Sequence, residues 1–163
     1  MKRLFLGIVV VLLVASCFKK NKFPSTPKIE FESFAITGDS AKLVFSFEDG
    51  EGDIGLSNDD VASPFDIGSF YYYNLYLVYY EKKDIGGWQP GTDLNGDSIV
   101  LANRLKPIYD GKRKSISGTV EYTIEPIFYN LVSTDSDTIK YRILLIDRAL
   151  NKSNWIETQE IYP

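Results

Sequence analysis

Between residues 41 and 48 the chain reads AKLVFSFE, and this alternation constrains the fold more than any other feature. Ala41, Leu43, Phe45 and Phe47 fall on one face of an extended chain, opposite Lys42, Ser46 and Glu48. Successive side chains of a strand point to opposite faces, so the pattern predicts a strand with one buried side. Residues 119–125 repeat it, with Val120, Tyr122 and Ile124 opposite Thr119, Glu121, Thr123 and Glu125. Residues 139–146 begin in alternation and finish wholly apolar, as a strand does when both faces become covered. The run 70–80, FYYYNLYLVYY, is the longest such segment and is rich in residues that favour strands. Residues 29–36, 98–105 and 154–162 give weaker patterns. In the first of these the apolar phase changes between Phe31 and Phe34, which predicts a bulge.

Nothing beyond the first 16 residues carries a convincing helical period. About seven short strands separated by Gly, Asp, Asn and Pro turns predict one all-β domain over residues 29–163. The expected architecture is an antiparallel sandwich, immunoglobulin-like or fibronectin-III-like, with a small closed β-barrel as the alternative.

The N-terminus has a different character. Lys2 and Arg3 precede an unbroken apolar run from Leu4 to Ala15, and Ser16 then leads to Cys17, the single cysteine of 163 residues. A membrane-spanning helix needs about 20 apolar residues; this run is shorter and meets Phe18-Lys19-Lys20 at once. A helix packed in a core would need a polar face, which the run lacks. A plain secretory signal shares the charged start, apolar middle and small-residue end, yet gives no reason for a cysteine at the first mature position. The segment resembles the signal peptide of a bacterial lipoprotein, in which small residues admit the peptidase and the cysteine thiol receives a diacylglycerol. That resemblance implies cleavage of residues 1–16, lipidation at Cys17, a tether over residues 17–28 and an outer-membrane lipid anchor. Pro24 and Pro27 oppose both helix and sheet and suit a short extended spacer. Surface-exported lipoproteins of Bacteroidota-type bacteria resemble one another in carrying acidic residues after the cysteine. Here Phe18-Lys19-Lys20-Asn21-Lys22 is basic, which implies a domain facing the periplasm.

Composition narrows the chemistry. The formal net charge is −4, and the basic cluster Lys112-Arg113-Lys114 is short and suits a solvated turn. Nucleic acid is therefore not an expected partner, since phosphate binding needs clustered Lys and Arg. The chain has no histidine, which removes Ser-His and Cys-His nucleophiles and the usual general base near neutral pH. Cys17, if acylated, offers no thiol. No catalytic residues are assigned. A carboxylate-based hydrolase is the remaining enzymatic alternative, and nothing in the sequence pairs two carboxylates for it.

The most distinctive segment is residues 47–56, FEDGEGDIGL. Asp49, Glu51 and Asp53 alternate, and glycines let the backbone fold so that their oxygens converge. Hard cations such as calcium take several such oxygens. The spacing is not that of an EF-hand, because Ile54 stands where that loop needs glycine, Asp60 would have to replace its bidentate Glu, and no helices flank it. The segment resembles the F-x-D-x-x-G-D-I-G loop of small β-sandwich lipoproteins from Bacteroidota-type bacteria. Near the other end, Asp147, Asn151 and Ser153 form a D-x-x-x-N-x-S pattern similar to the turn before the last strand of bacterial immunoglobulin-like domains, with Leu150 where glycine is usual. The two resemblances imply a fold and leave activity open.

If strands 41–48, 70–80, 98–105, 117–124 and 138–146 alternate in direction, Asp49 and Asp147 emerge at the same end. Asp49, Glu51, Asp53, Asp147 and Asn151 are then a candidate ligand set for one ion, with calcium the fitting cation. The competing reading is that both loops only hydrogen-bond their own backbones, as Asp and Asn do in turns. A second acidic motif, Asp93-x-Asn95-x-Asp97, resembles a dockerin calcium loop, but Ser98 and Arg104 occupy two of its key positions. Asn95-Gly96 reads better as a hairpin turn, placed by the same parity at the far end of the domain. Among the aromatics, Trp88 lies between Gly87 and Gln89-Pro90 in an expected loop and is the candidate ligand-binding residue for a sugar ring. Alternate tyrosines of 70–80 are expected to fill the core on one side and cover the sheet on the other, and Trp155 to pack. The chain is thus read as a lipid-anchored binding or structural module of the cell envelope, with a protein or glycan partner. A glycan-binding accessory lipoprotein is the more specific version.

Overall fold

In the computed structural model residues 23–108 and 114–163 are described; the expected leader, Cys17, residues 18–22 and the expected basic turn at Lys112-Arg113 lie outside them. The described residues form an all-β antiparallel sandwich. Its strands are β1 (Lys28–Thr37), β2 (Ser40–Asp49), β3 (Leu75–Lys83), β4 (Gly87–Pro90), β5 (Val100–Asn103), β6 (Ile116–Ile124), β7 (Ile139–Leu145) and β8 (Ile156–Glu157). One sheet has the order β1-β2-β6; in the other β4 and β5 share one edge of β3, followed by β7 and β8. Consecutive strands β2 and β3 thus lie in different sheets, as do β6 and β7, so the chain crosses between the two layers of the sandwich. The sheets do not close into a barrel.

The alternation of residues 41–48 does what its pattern dictates. Leu43 and Phe45 are fully buried, and they face Leu75, Leu77, Ile143 and Leu145 of the other sheet, also without exposure. The bulge is present as a register shift between Phe31 and Ser33 in the β1–β2 ladder. It lets Ile29 and Phe34, of opposite parity, both reach the core.

Four details differ from the sequence reading. Phe70–Tyr72 form a 3-10 turn rather than strand, with the Ser69 hydroxyl accepting from the Tyr71 amide. The alternation runs only from Leu75. Just before it the Asn74 side chain is buried and its Oδ1 accepts from the Leu105 amide at 2.7 Å. Secondly, β4 was not expected. It lies in line with β5 along β3, the two separated by an excursion that leaves after Gly91, whose amide donates to Tyr79 O, and returns at Ile99, whose carbonyl accepts from Tyr79 N. Both strands run antiparallel to β3, so the extra strand preserves the assumed direction of those that follow. The Asp93–Asp97 turn is therefore at the sheet edge beside Tyr79, not at the far end of the domain. Asp93 Oδ1 accepts there from the amides of Asn95 and Asp97. Thirdly, the last strand is confined to Ile156–Glu157, with a separate bridge from Ile161 to Ile139. Finally, the end of the expected free tether is docked. Pro27 is buried, and Pro24 O accepts from Gly50 N at 2.7 Å, because proline keeps its carbonyl acceptor.

The long β2–β3 connection is held by Arg104, which follows β5. Its guanidinium donates to Tyr72 O at 2.6 Å and to the carbonyls of Ser57 and Asp60, and it lies 5.0 Å from the Tyr72 ring centroid. Hydrogen bonds from a charged donor contribute about 1.5–3 kcal/mol each when isolated. Because this one is half-buried and its carbonyls can recruit water, Arg104→Met is expected to cost about 2–3 kcal/mol in all, read as a lowered melting temperature by calorimetry. A cost under about 0.5 kcal/mol, within the range of ordinary surface substitutions, would mean that the loop is held by its other contacts.

Candidate metal centre

The core-facing row of β2 is Ala41, Leu43, Phe45, Phe47, and the next residue of that parity is Asp49. The core-facing row of β7 is Ile139, Tyr141, Ile143, Leu145, and the next is Asp147. Strand periodicity alone therefore turns both carboxylates inward, one from each sheet, at one end of the sandwich. Asp49 is fully buried and Asp147 is 1% exposed.

The loop after β2 brings a third carboxylate. Ile54 and Leu56 are buried and anchor the loop, with Leu56 N donating to Leu105 O. Gly52 has φ +68, and a Cβ there would lie 2.0 Å from Lys114 O, so only glycine fits. This path carries Asp53 back over the end of β2, where its amide donates to Asp49 Oδ2 at 3.0 Å. Ligand atoms of Asp49, Asp53 and Asp147 all lie within 4.8 Å of one another.

Of the five expected ligands the structure brings together these three. Glu51 is half-buried and outside the group, though its charge still acts on Asp53. Asn151 serves Asp147 directly: its backbone amide donates to Oδ1 at 2.8 Å and its side-chain amide to Oδ2 at 2.9 Å. Leu150, at the position where glycine is usual, has φ 70, the sole positive φ outside glycine among the described residues. The turn keeps the left-handed geometry at the cost of placing a γ-branched side chain there. Ser153 completes the pattern by accepting from Leu145 N and donating to Asn154 O.

Electrostatics make the cluster expensive. No Lys or Arg pairs with any of the three carboxylates among the described residues; Arg148 pairs with Asp60 instead. Among the described residues, Asp49 Oδ1 and Asp53 Oδ1 are buried without hydrogen-bond partners. Burial pushes the Asp147 carboxyl up to about 6, opposed by the Asn151 hydrogen bonds and aided by the charges of Asp53 and Asp49. Asp53 is raised as well, chiefly by burial, then by Asp49 and Glu51. Such a cluster can lower its energy by keeping protons or by holding a hard cation.

Trp88 lies elsewhere. It sits on β4 opposite Lys82, at the end of β3 remote from Asp147, and the Lys140 ammonium is 4.7 Å from its ring centroid. It is thus part of an edge strand rather than a loop, because Gly87–Pro90 pair with β3. Trp155, expected to pack, is 44% exposed on the outer face of the same sheet, with the Arg142 guanidinium 5.1 Å from its ring. The clamp residues Arg104, Asp60 and Arg148 had no sequence signal, since their partners are distant carbonyls and charges. The core-facing parity of Asp49 and Asp147 was present in the pattern and could have been read from it.

No family model, no curated protein and no solved structure matches the chain.

A raised carboxyl binds protons more readily in the folded chain than in the unfolded one. Without a cation, stability should therefore fall as pH rises from the ordinary carboxylate range through about 6. The full chain in detergent with chelator should melt higher at pH 5 than at pH 7.5, and Asp147→Asn should flatten that difference. An unchanged slope in the variant would assign the pH dependence to other groups.

Proposed function

We propose that this chain is a lipid-anchored module of the bacterial envelope, its domain a binding or structural unit clamped at one end by a divalent cation, for which calcium is the fitting choice. The observation that carries the cation reading is the pair of buried oxygens without hydrogen-bond partners among the described residues, Asp49 Oδ1 and Asp53 Oδ1, within a three-carboxylate group that no described Lys or Arg pairs with. A buried charge without a partner costs several kcal/mol, and a hard cation would offset it while using the same oxygens. Calcium takes six to eight oxygen ligands in flexible geometry, so carboxylates, backbone carbonyls of the glycine-rich loop and water together would complete its shell. The cation would tie the end of β2 to the end of β7 and so join the two sheets.

The anchor rests on the leader and Cys17. The fold adds one supporting fact: the chain enters the domain beside this loop, where Pro24 O meets Gly50 N. The acidic end of the sandwich would then be the end nearest the lipid, with the periplasm-facing orientation following from the basic residues after Cys17.

A ligand that binds only the folded state at about 100 times its Kd adds about 2.7 kcal/mol, equivalent to about 5–10 °C in a domain of this size. Calcium in excess should raise the melting temperature of the full chain by that amount at pH 7.5, and chelator should reverse it. Asp49→Asn should abolish the response while leaving a folded domain. The same melting temperature with calcium and with chelator would remove the cation from the proposal, and the anchor is tested separately by mass spectrometry of Cys17 from bacterial membranes.

A further inference from the structure

The outer face of the five-stranded sheet, opposite the face that meets the core, holds a groove of about 430 Å³. Its floor and walls include Tyr76, Val100 and Leu144, flanked by Phe70 and Trp155, with Lys152 at the rim. Phe70 stacks on Tyr76 with centroids 4.9 Å apart and planes 5° from parallel, which fixes one wall. Phe70, Val100 and Trp155 are 50%, 43% and 44% exposed, so this apolar surface is open to solvent.

Lys152 is the exception among the cations of this face. Lys140 and Arg142 both pair with Glu157, and Lys82 pairs with Glu160. Lys152 has no carboxylate partner among the described residues; its ammonium lies 4.8 Å from the Phe70 ring centroid. A bridge between Ile146 and Lys152 fixes its backbone.

We infer that this groove binds a small apolar carboxylate, an aryl or medium-chain acid, with its body against Tyr76, Leu144 and Trp155 and its anion on Lys152. The volume falls within the range of small-molecule sites, which combine apolar walls with a few polar groups. A saccharide suits the groove poorly, because the Val and Leu walls offer its hydroxyls no partners and the Ser153 hydroxyl is already engaged by Leu145 N and Asn154 O. A second copy of the chain suits it poorly too, since a lone cation in a small groove supplies little of the roughly 800 Å² per partner that a stable interface buries.

The test is calorimetric titration of the full chain in lipid nanodiscs with 2-naphthoate, with empty nanodiscs as blank. One-to-one saturable binding is expected. The uncharged 2-naphthamide and the variant Lys152→Met should each bind at least tenfold more weakly, and Val100→Trp, which fills the groove without removing a buried group, should abolish binding. Melting curves of both variants verify that they fold. No saturable binding, equal affinity for amide and acid, or unaltered affinity in Lys152→Met would overturn the assignment. So would preferential binding of galacturonate oligosaccharide, which would make it a glycan site, or self-association lost in Val100→Trp, which would make it an interface.

Discussion

Two rows of core-facing side chains, one from each sheet, run to the same end of the sandwich and terminate in aspartate. The loops at that end of the domain are built around those buried carboxylates. A strand cannot redirect a single side chain without breaking its period, so Asp49 shares the environment of Phe47 and Phe45 below it. Asp147 follows Leu145 in the same way. The surrounding loops supply what the strands cannot: the Asp53 amide for Asp49, and the two Asn151 donors for Asp147. These donors leave Asp49 Oδ1 and Asp53 Oδ1 unpartnered.

Another buried carboxylate in the molecule also keeps one oxygen, Glu81 Oε1, without a hydrogen-bond partner, but differs in having a counter-charge. Glu81, at the other end of β3, is 1% exposed and also points inward. It accepts from Lys83 Nζ at 2.9 Å and from Ser133 Oγ at 2.8 Å, so a cation of the chain itself meets its charge. At the acidic end the nearby Arg148 is turned to Asp60, and Arg104 is committed to carbonyls of the long loop. Among the described residues, Arg104 and Arg148 thus hold the β2–β3 connection, and the three carboxylates face one another with no described cation paired to them.

The two faces of the five-stranded sheet divide the chemistry differently. Inward, Leu75, Leu77 and Tyr79 pack on β7 and the opposite sheet. Outward, Tyr76, Tyr80, Trp88 and Trp155 alternate with Lys140, Arg142 and Lys152, so cations lie over ring faces. Exposed sites of this kind contribute about 0.5–1 kcal/mol each. They leave a surface in which apolar area and positive charge adjoin.

The period-two pattern was sufficient to identify β2, β6 and β7 and the all-β class, because burial of one face is a local consequence of alternation. It also predicted the β1 bulge, since a change of apolar phase has few other solutions. It misled at residues 70–73, where aromatic residues with high strand preference instead form a capped turn, and at residues 87–90, where pairing with β3 makes a strand from Gly-Trp-Gln-Pro. Strand propensity reflects the neighbours a residue will pack against, which a single segment does not contain. The aspartates, the glycines that let their loops fold and the apolar N-terminal run before Cys17 were all written in the sequence. That Asp53 joins Asp49 and Asp147, while Glu51 stands aside and Asn151 becomes a hydrogen-bond donor, was decided by tertiary structure. Distances between residues about a hundred positions apart depend on how two sheets stack, and no local pattern encodes that.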